Sequence, residues 1–351
     1  MLEKVLSSYG MAAAIIQPHG SGLIHDTWKI IDQSQDYILQ KVNEKVFKEP
    51  QHIADNIEAI DYWLKKNHPE YFFVAPLTTK NNEALLNIKD QGYFRLFPFV
   101  KDSCTYDIAQ FPGQAFEAAR QFGLFTRKLR DFPVENLKIT IPNFHNLIYR
   151  YEQFRQAIQN GNPSRLQETK DDIYFLSSHD HIVSTYQKII SNKEFKLRVT
   201  HHDTKISNVL FDKNGKGICV IDLDTVMPGY FISDVGDMMR TYLSPVSEEE
   251  KNFEKISIRE DYFEAIAKGY LKEMGAELNP LEILHFVYAG LFMIYMQALR
   301  FLTDYLENDK YYGASYEGHN YIRAGNQVTL LKRLLEKKDL FEEMVLEIAG
   351  K

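Results

Sequence analysis

The chain has 351 residues, 44% hydrophobic and 25% charged, with a formal net charge of −7. At about 150 residues per domain, this length points to two domains or lobes with ordinary globular cores. An acidic chain without a long Lys/Arg run offers no extended basic face for nucleic acid, and two isolated cysteines, Cys104 and Cys219, make neither a disulfide framework nor a cysteine-based zinc site. Met1 to Gly10 lacks the charged start and apolar run of a signal peptide. The longest apolar stretch, Phe286 to Met296, is too short to span a bilayer. A buried helix, no membrane association and a cytoplasmic location are therefore expected.

In chain order, Gly20-Ser21-Gly22 reads as a glycine turn that enters a strand running to Ile31. Tyr37 to Val42 is a second strand. After Pro50, Ile53, Ile57, Ile60 and Leu64 recur at helical spacing. Tyr71 to Leu77, Ala84 to Ile88 and the aromatic run Tyr93 to Val100 are further strand candidates; Pro98 marks the last as an edge or a stop. Beyond residue 101 the helical pattern takes over. Helices are expected over Gln114 to Arg130, Phe144 to Gln159 and Ile173 to Ser191, with a polar loop at Asn160 to Thr169. Val209-Leu210-Phe211 and Ile218 to Ile221 flank an Asn-Gly turn, a hairpin signal. Helices dominate again from Glu250. The reading is an α+β chain with a strand-rich lobe over residues 1–100 and a mainly helical lobe over 101–351, with a ligand cleft expected between them.

The strongest motif is His201-His202-Asp203-Thr204-Lys205-Ile206-Ser207-Asn208, followed by the hairpin and then Asp222-Leu223-Asp224. Phosphoryl transfer needs an Asp to accept the proton of the attacking hydroxyl, an Asn to hold a metal, and a second Asp to bridge metal and phosphates. The kinase catalytic loop spells the first two as H-x-D-x-x-x-x-N. Asp203 and Asn208 have that spacing, and Asp222 ends a strand. Lys205 can neutralise charge on the transferred group. The short motif alone arises by chance; the motif with the hairpin and the Asp-Leu-Asp ending does not do so readily.

The segment His201 to Asp224 resembles the aminoglycoside phosphotransferase and choline kinase superfamily, whose fold is two-lobed and protein-kinase-like. His202 stands where glycine is usual. A closer resemblance, to the N-acetylhexosamine 1-kinases, is carried by Gly20 to Thr27, Tyr37 to Asn43, His202 to Phe211, Ile221 to Gly229 and Arg300 to Leu306. It implies transfer from ATP, with Mg²⁺ on Asn208 and Asp222, to the anomeric hydroxyl of GlcNAc or GalNAc, with Asp203 as base. Other alcohols, such as choline, homoserine, an aminoglycoside or another sugar, remain the rival acceptors, and a catalytically inactive nucleotide-binding module is the rival of another class. The partner is then a small molecule, and the chain a monomer or weak dimer.

Around this centre stand further candidates, each with a bland alternative. Gly20, Ser21 and Gly22 can lie over nucleotide phosphates, because glycine lets backbone amides approach closely. Lys41 is a phosphate candidate with Glu58 as its helix partner, although Gln40 beside it competes for the inward face. Phe97 and Phe99 can flank the adenine. His25 and Asp26 are candidates for the acceptor side on the resemblance. Asp234 and Asp237 read as braces of the catalytic loop, and Arg240 can reach the cleft. Arg300 ends an apolar run and needs either a carboxylate or a ligand. Asp304 is four residues on, so an i,i+4 ion pair competes with an acceptor contact; Tyr311 follows.

Overall fold

The computed structural model describes residues 2–11, 14–19, 24–33 and 35–350. They form two compact units. The first comprises Met1–Thr105, Lys128–Pro142 and Asn208–Pro228; the second comprises Tyr106–Arg127, Asn143–Ser207 and Gly229–Lys351.

The first unit is built on a five-stranded antiparallel sheet: β1 (Ile15–Pro18), β2 (Asp26–Ile31), β3 (Asp36–Lys41), β4 (Leu86–Ile88) and β5 (Gly92–Pro98), in the order β1-β2-β3-β5-β4. Side chains alternate across a strand, so Ile30, Leu39, Phe94 and Leu96 fall on one face and pack with Val5 and Leu6 of α1 (Leu2–Ser8). Gln40 opposite Arg95 falls on the other face, and Lys41 opposite Phe94 on the α1 face. α2 (Pro50–Asn67) starts on a proline, which suits a first helical turn, and buries Ile53, Ile57, Ile60 and Leu64 as their spacing implies. Asn56 on its inner face gathers the unit's separate pieces. Its Nδ2 donates to the carbonyls of Lys138 and Val226, both at 2.9 Å, and its Oδ1 accepts from Lys138 N–H.

The second unit is assembled around the helix Phe286–Leu306, in which every residue except Arg300 is buried. This is the expected buried helix, extended to 21 residues. By length and composition it is apolar enough to cross a membrane, yet 94% of its most apolar window is buried inside the protein. Leu147–Asn160, Phe231–Tyr242 and His319–Glu336 pack on it. Each large apolar side chain withdrawn from water contributes roughly 1.5–3 kcal/mol. Gly236 marks the closest approach: a Cβ there would lie 2.2 Å from the Ala289 carbonyl oxygen.

Three expectations fail locally. Tyr71 to Leu77 is not a strand; only Leu77 bridges, to Leu96. Its apolar run packs without finding a ladder. The loop expected at Asn160 to Thr169 contains the helix Pro163–Glu168, signalled by Asn162 as N-cap and Pro163 at the first helical position. Finally, Ile173 to Ser191 is two helices, Lys170–Ser178 and His181–Ser191.

Candidate functional site

In the second unit the loop His201 to Ser207 leaves the buried strand Arg198–Thr200. His201 is fully buried, edge-on to Phe122 at 5.1 Å, and its Nδ1 faces the Asp203 N–H at 3.4 Å. Asp234 and Asp237, on the helix Phe231–Tyr242, bracket the loop. Asp234 accepts from the backbone N–H of His201 (3.0 Å) and His202 (2.8 Å), and Asp237 accepts from Thr204 N–H (2.8 Å). The Thr204 hydroxyl donates to the Asp234 carbonyl, and the Tyr242 hydroxyl to the Thr204 carbonyl. Burial pushes the Asp234 carboxyl up to about 7 against the two N–H donors, which favour the anion. Asp203 itself is one-fifth exposed, with Lys205 Nζ 3.1 Å from its Oδ1. The Asp203 charge raises the Lys205 pKa and keeps it a cation.

The His202 backbone has φ = 65°, the left-handed region that glycine adopts without strain. This supplies a physical reason for glycine at the position. Histidine is tolerated because its N–H reaches Asp234 and its Nδ1 meets the Thr200 carbonyl at 3.1 Å. Gly229 leaves room for the ring: a Cβ there would lie 2.5 Å from His202 Nε2.

The rest of the motif lies in the first unit. The strands Val209–Asp212 and Gly217–Val220 pair as the Asn-Gly turn implies, with Gly215 at φ = 76°. Ile221 N–H donates to the Asn208 carbonyl at 2.9 Å. Asn208 and Asp222 are thereby set at adjoining ends of the hairpin. Asp222 has φ = 59°, a strained conformation of the kind that concentrates at functional positions. A carboxamide and a carboxylate oxygen are hard donors that fit a small divalent cation sharing its remaining positions with phosphate oxygens.

Asp224, two residues on, is the anchor of a buried ion cluster. Arg95 Nη1 and Nη2 donate to its two carboxylate oxygens at 2.5 and 2.9 Å, and His25 Nε2 lies 2.6 Å from Oδ2. Burial alone would raise the Asp224 pKa; Arg95 and His25 more than offset it and hold the carboxyl below its ordinary range. Gln40 Oε1 accepts from Arg95 Nε and Nη2.

Several candidates are thereby relocated. His25 has both ring nitrogens engaged, Nε2 by Asp224 and Nδ1 by the Asn43 N–H at 3.1 Å, so it is a brace of this cluster. The open choice between Gln40 and Lys41 falls to Gln40, which shares the face of Arg95 and Asp224. Lys41 lies beside Glu44 and Gly92 on the opposite face, and Glu58 sits on the exposed side of α2. The expected Lys41–Glu58 ion pair is not formed among the described residues, because strand alternation turns Lys41 away. Phe99 spends its backbone N–H on the Asp36 carbonyl (3.0 Å), so that amide is not available to a base edge; its ring receives Lys29 at 4.2 Å, and the Phe97 ring receives Arg95 at 5.1 Å. Asp26 is exposed at the start of β2. Gly20, Ser21 and Gly22 lie outside the described residues.

In the second unit Arg240 does not stand open. It bonds Asp237 at 3.0 Å and Glu248 at 2.7 Å. Burial opposes its charge, but these two carboxylates more than offset that and keep its pKa above the ordinary value. The i,i+4 pair of Arg300 and Asp304 is absent because Asp304 turns to the backbone N–H of Tyr311 (2.6 Å) and Tyr312 (2.9 Å) and to Asn320 (3.1 Å). Arg300 instead lines a small pocket with Arg150, Gln153, Thr303, Tyr311 and Tyr312. Tyr311 is two-thirds exposed at its rim. Sequence reasoning missed Arg95 and Arg150. Arg95 gives no local signal, hidden in an aromatic strand. Arg150 gives a faint one: a cation one turn into Leu147–Asn160, where the helix dipole repels it.

The model of the phosphotransferase enzyme family matches residues 15–274. Solved structures agree in fold over nearly the whole chain. The aminoglycoside phosphotransferase of Alicyclobacillus acidocaldarius superposes with a TM-score of 0.60 at 13% identity, covering 98% of this chain and 95% of its own. Amicoumacin kinase, solved with AMP-PNP, Ca²⁺ and its antibiotic, gives 0.59 at 16%, covering 98% and 96%. The choline kinase of Cryptosporidium parvum gives 0.55 at 14%, covering 99% and 98%. The mixed helix-and-sheet architecture is thus that of the kinase-like phosphotransferases. With the model matching most of its length, this chain belongs to the phosphotransferase enzyme family, on a fold shared with kinases of small molecules.

Proposed function

We propose that the chain transfers the terminal phosphoryl group of ATP to a hydroxyl of a small-molecule acceptor, and that this is the anomeric hydroxyl of an N-acetylhexosamine such as GlcNAc or GalNAc. The observation that carries the kinase reading is the backbone bond from Ile221 to Asn208, which sets two oxygen donors, Asn208 and Asp222, at one end of the hairpin. The bracketed loop bearing Asp203 supports it. The sugar reading rests on the resemblance around Arg300 to Leu306 and Gly20 to Thr27.

In this reading Asp203 accepts the proton of the acceptor hydroxyl as its oxygen bonds to phosphorus and ADP leaves. Lys205 offsets charge on the transferred group. Asn208 and Asp222 would hold Mg²⁺, which supplies charge neutralisation at the phosphates. Catalysis is then chiefly positioning and electrostatics. That amicoumacin kinase was solved with AMP-PNP and Ca²⁺ supports a nucleotide and a divalent cation.

The test is a ³¹P NMR product assay with ATP, Mg²⁺ and GlcNAc, GalNAc, glucose, galactose, choline and homoserine. A sugar 1-phosphate on an N-acetylhexosamine supports the full reading. A phosphate elsewhere on the sugar keeps the kinase and removes the anomeric claim. Phosphorylation of choline or homoserine alone favours the rival acceptors, a reading supported by neighbours described as choline and aminopropanol kinases. Nucleotide binding without transfer to any alcohol favours the inactive module.

A further inference from the structure

Arg150 and Arg300 share one small pocket in the second unit, of about 80 Å³. Arg150 is 8% exposed. Its protein hydrogen bond is to the neutral Gln153 (2.9 Å), with the Tyr149 ring at 5.4 Å. Arg300 bonds the neutral Gln297 (3.0 Å) and stands over Tyr312 (5.3 Å), Phe144 (5.7 Å) and Tyr311 (6.0 Å). Among the described residues neither guanidinium forms an ion pair with a carboxylate, and both Nε atoms, with the Thr303 hydroxyl, are buried without a protein hydrogen-bond partner.

Two carboxylates line the same pocket, Asp304 and Glu307. Asp304 is committed to three N–H donors, and Glu307 is exposed and joins neither arginine. Glu248, the next acidic group, is engaged by Arg240 and Arg323. Burial and the Arg300 charge both push the Arg150 pKa down, the mark of a cation facing a like charge. A buried cation beside a half-buried one, both without counter-charge, is costly unless something brings an anion. Rings and carboxamides soften the charge without neutralising it, and neutral hydroxyls would do no more. A carboxylate or phosphate supplies both the charge and the paired acceptors that a guanidinium fork matches.

The pocket is linked to the catalytic loop within the same unit. Arg300 stands over Phe144; Phe144 stacks on His145 at 4.4 Å; His145 lies 5.1 Å from His202, whose neighbour is Asp203. His145 is half-buried with its Nδ1 enclosed and unpartnered, and its pKa is pushed well below the ordinary value by desolvation first, then by His202 and Arg300. It therefore adds no charge of its own near neutral pH.

We propose that the acceptor carries an oxyanion, a carboxylate or a phosphate monoester, and that Arg150 and Arg300 together bind it. This rests on the reading of Asp203 as the acceptor's base and, within the proposed N-acetylhexosamine class, it favours members that also carry an anionic group, such as a 6-phosphate or a uronate, over the neutral sugar.

The test uses the full chain and calorimetric binding of matched pairs: D-glucuronate against D-glucose, and N-acetylglucosamine 6-phosphate against N-acetylglucosamine, with glucosamine as the cationic member. The expected result is that one anionic member binds at least tenfold more tightly than its neutral parent, and that Arg150→Met and Arg300→Met each bring the ratio of the two affinities down to about one. Arg150→Lys and Arg300→Lys should restore part of it, and melting temperatures of all four variants identify any that fail to fold. Preference for glucuronate assigns a carboxylate; preference for the 6-phosphate assigns a phosphate. Equal binding of neutral and anionic members, tighter glucosamine binding, or arginine variants that keep the preference would each overturn the proposal.

Turnover separates the two readings. If transfer to N-acetylglucosamine proceeds and Arg150→Met and Arg300→Met leave kcat/KM for anionic and neutral acceptors equal, the kinase stands and the oxyanion site falls. If the anionic probe binds through the arginines but Asp203→Asn leaves its phosphorylation unchanged, the site stands and the assignment of Asp203 falls.

Discussion

Five buried or half-buried arginines of this chain fall into two groups. Arg95 is held by Asp224, Arg198 by Glu282 and Arg240 by Asp237 and Glu248, each through a short carboxylate contact inside its own unit. Among the described residues, Arg150 and Arg300 have only carboxamides and rings. The same side chain, buried or half-buried in both groups, thus serves two ends. Where the counter-charge is internal, the pair stiffens the fold: Arg240 and Asp237 brace the loop that bears Asp203, and Arg95 locks Asp224 after the hairpin. Where it is missing, the fold carries an unfavourable charge that only an external partner relieves. Functional sites are where such local inconsistencies concentrate.

Lys205 and Asp203 would break this division, since they are paired yet assigned to catalysis; their partial exposure sets them apart. Asp203→Asn should lower kcat roughly 10³-fold, within the range for a lost general base, while the calorimetric affinity for ATP stays within about twofold. Parallel loss of nucleotide affinity would make Asp203 structural after all.

Glu282→Ala sharpens the comparison from the other side. It strands Arg198, which now donates to both Glu282 oxygens at 2.6 and 2.9 Å, and should cost about 3–5 kcal/mol in urea unfolding. A cost below about 1 kcal/mol would mean that the internal pairs do not stiffen the fold.

Asp234 tests the loop brace through pH. Its native pKa of about 7 lies above the ordinary carboxylate value, so the native state holds the proton more tightly than the unfolded chain. Its contribution to stability is fully present below the unfolded pKa and is lost as pH rises through about 7. The stability of the wild type relative to Asp234→Asn should therefore fall by about 3 kcal/mol between pH 5 and pH 8. A flat difference across that range would remove the shift.

Arg150→Met gives the counterpart to Glu282→Ala. Removing an unpaired buried cation should leave the melting temperature unchanged or raise stability by about 1 kcal/mol; a loss of several kcal/mol would move Arg150 into the structural group. The smallest effect concerns His202. With φ = 65°, His202→Gly should be more stable than His202→Ala by about 1 kcal/mol, the reverse of the order expected at an ordinary position. Equal stabilities would show that the left-handed backbone is not strained.

The motif of the candidate site was legible because its residues lie close together in the chain. Asp203, Asn208, the Asn-Gly hairpin and Asp222 lie within twenty residues, so turn chemistry and strand alternation suffice to find them. The loop braces Asp234 and Asp237 lie beyond that window and were read on the family resemblance of the acidic turn. The misreadings share a different cause. Lys41 and Gln40 are adjacent, and only the registry against β5 decides which one joins Arg95. His25 and Arg240 had the right chemistry for a ligand, but partners 199 and 8 residues away had already claimed them.

What the sequence determined by itself was the spacing of Asp203, Asn208 and Asp222, the apolar helix around Phe286, and the hairpin. These follow from periodicity and turn residues within short windows. What only the tertiary structure decided was the pairing of charges. Arg95 is 129 residues from Asp224, and Arg150 is 150 residues from Arg300. A charge's role depends on what lies within a few ångströms of it once water is excluded, and folding alone sets those distances.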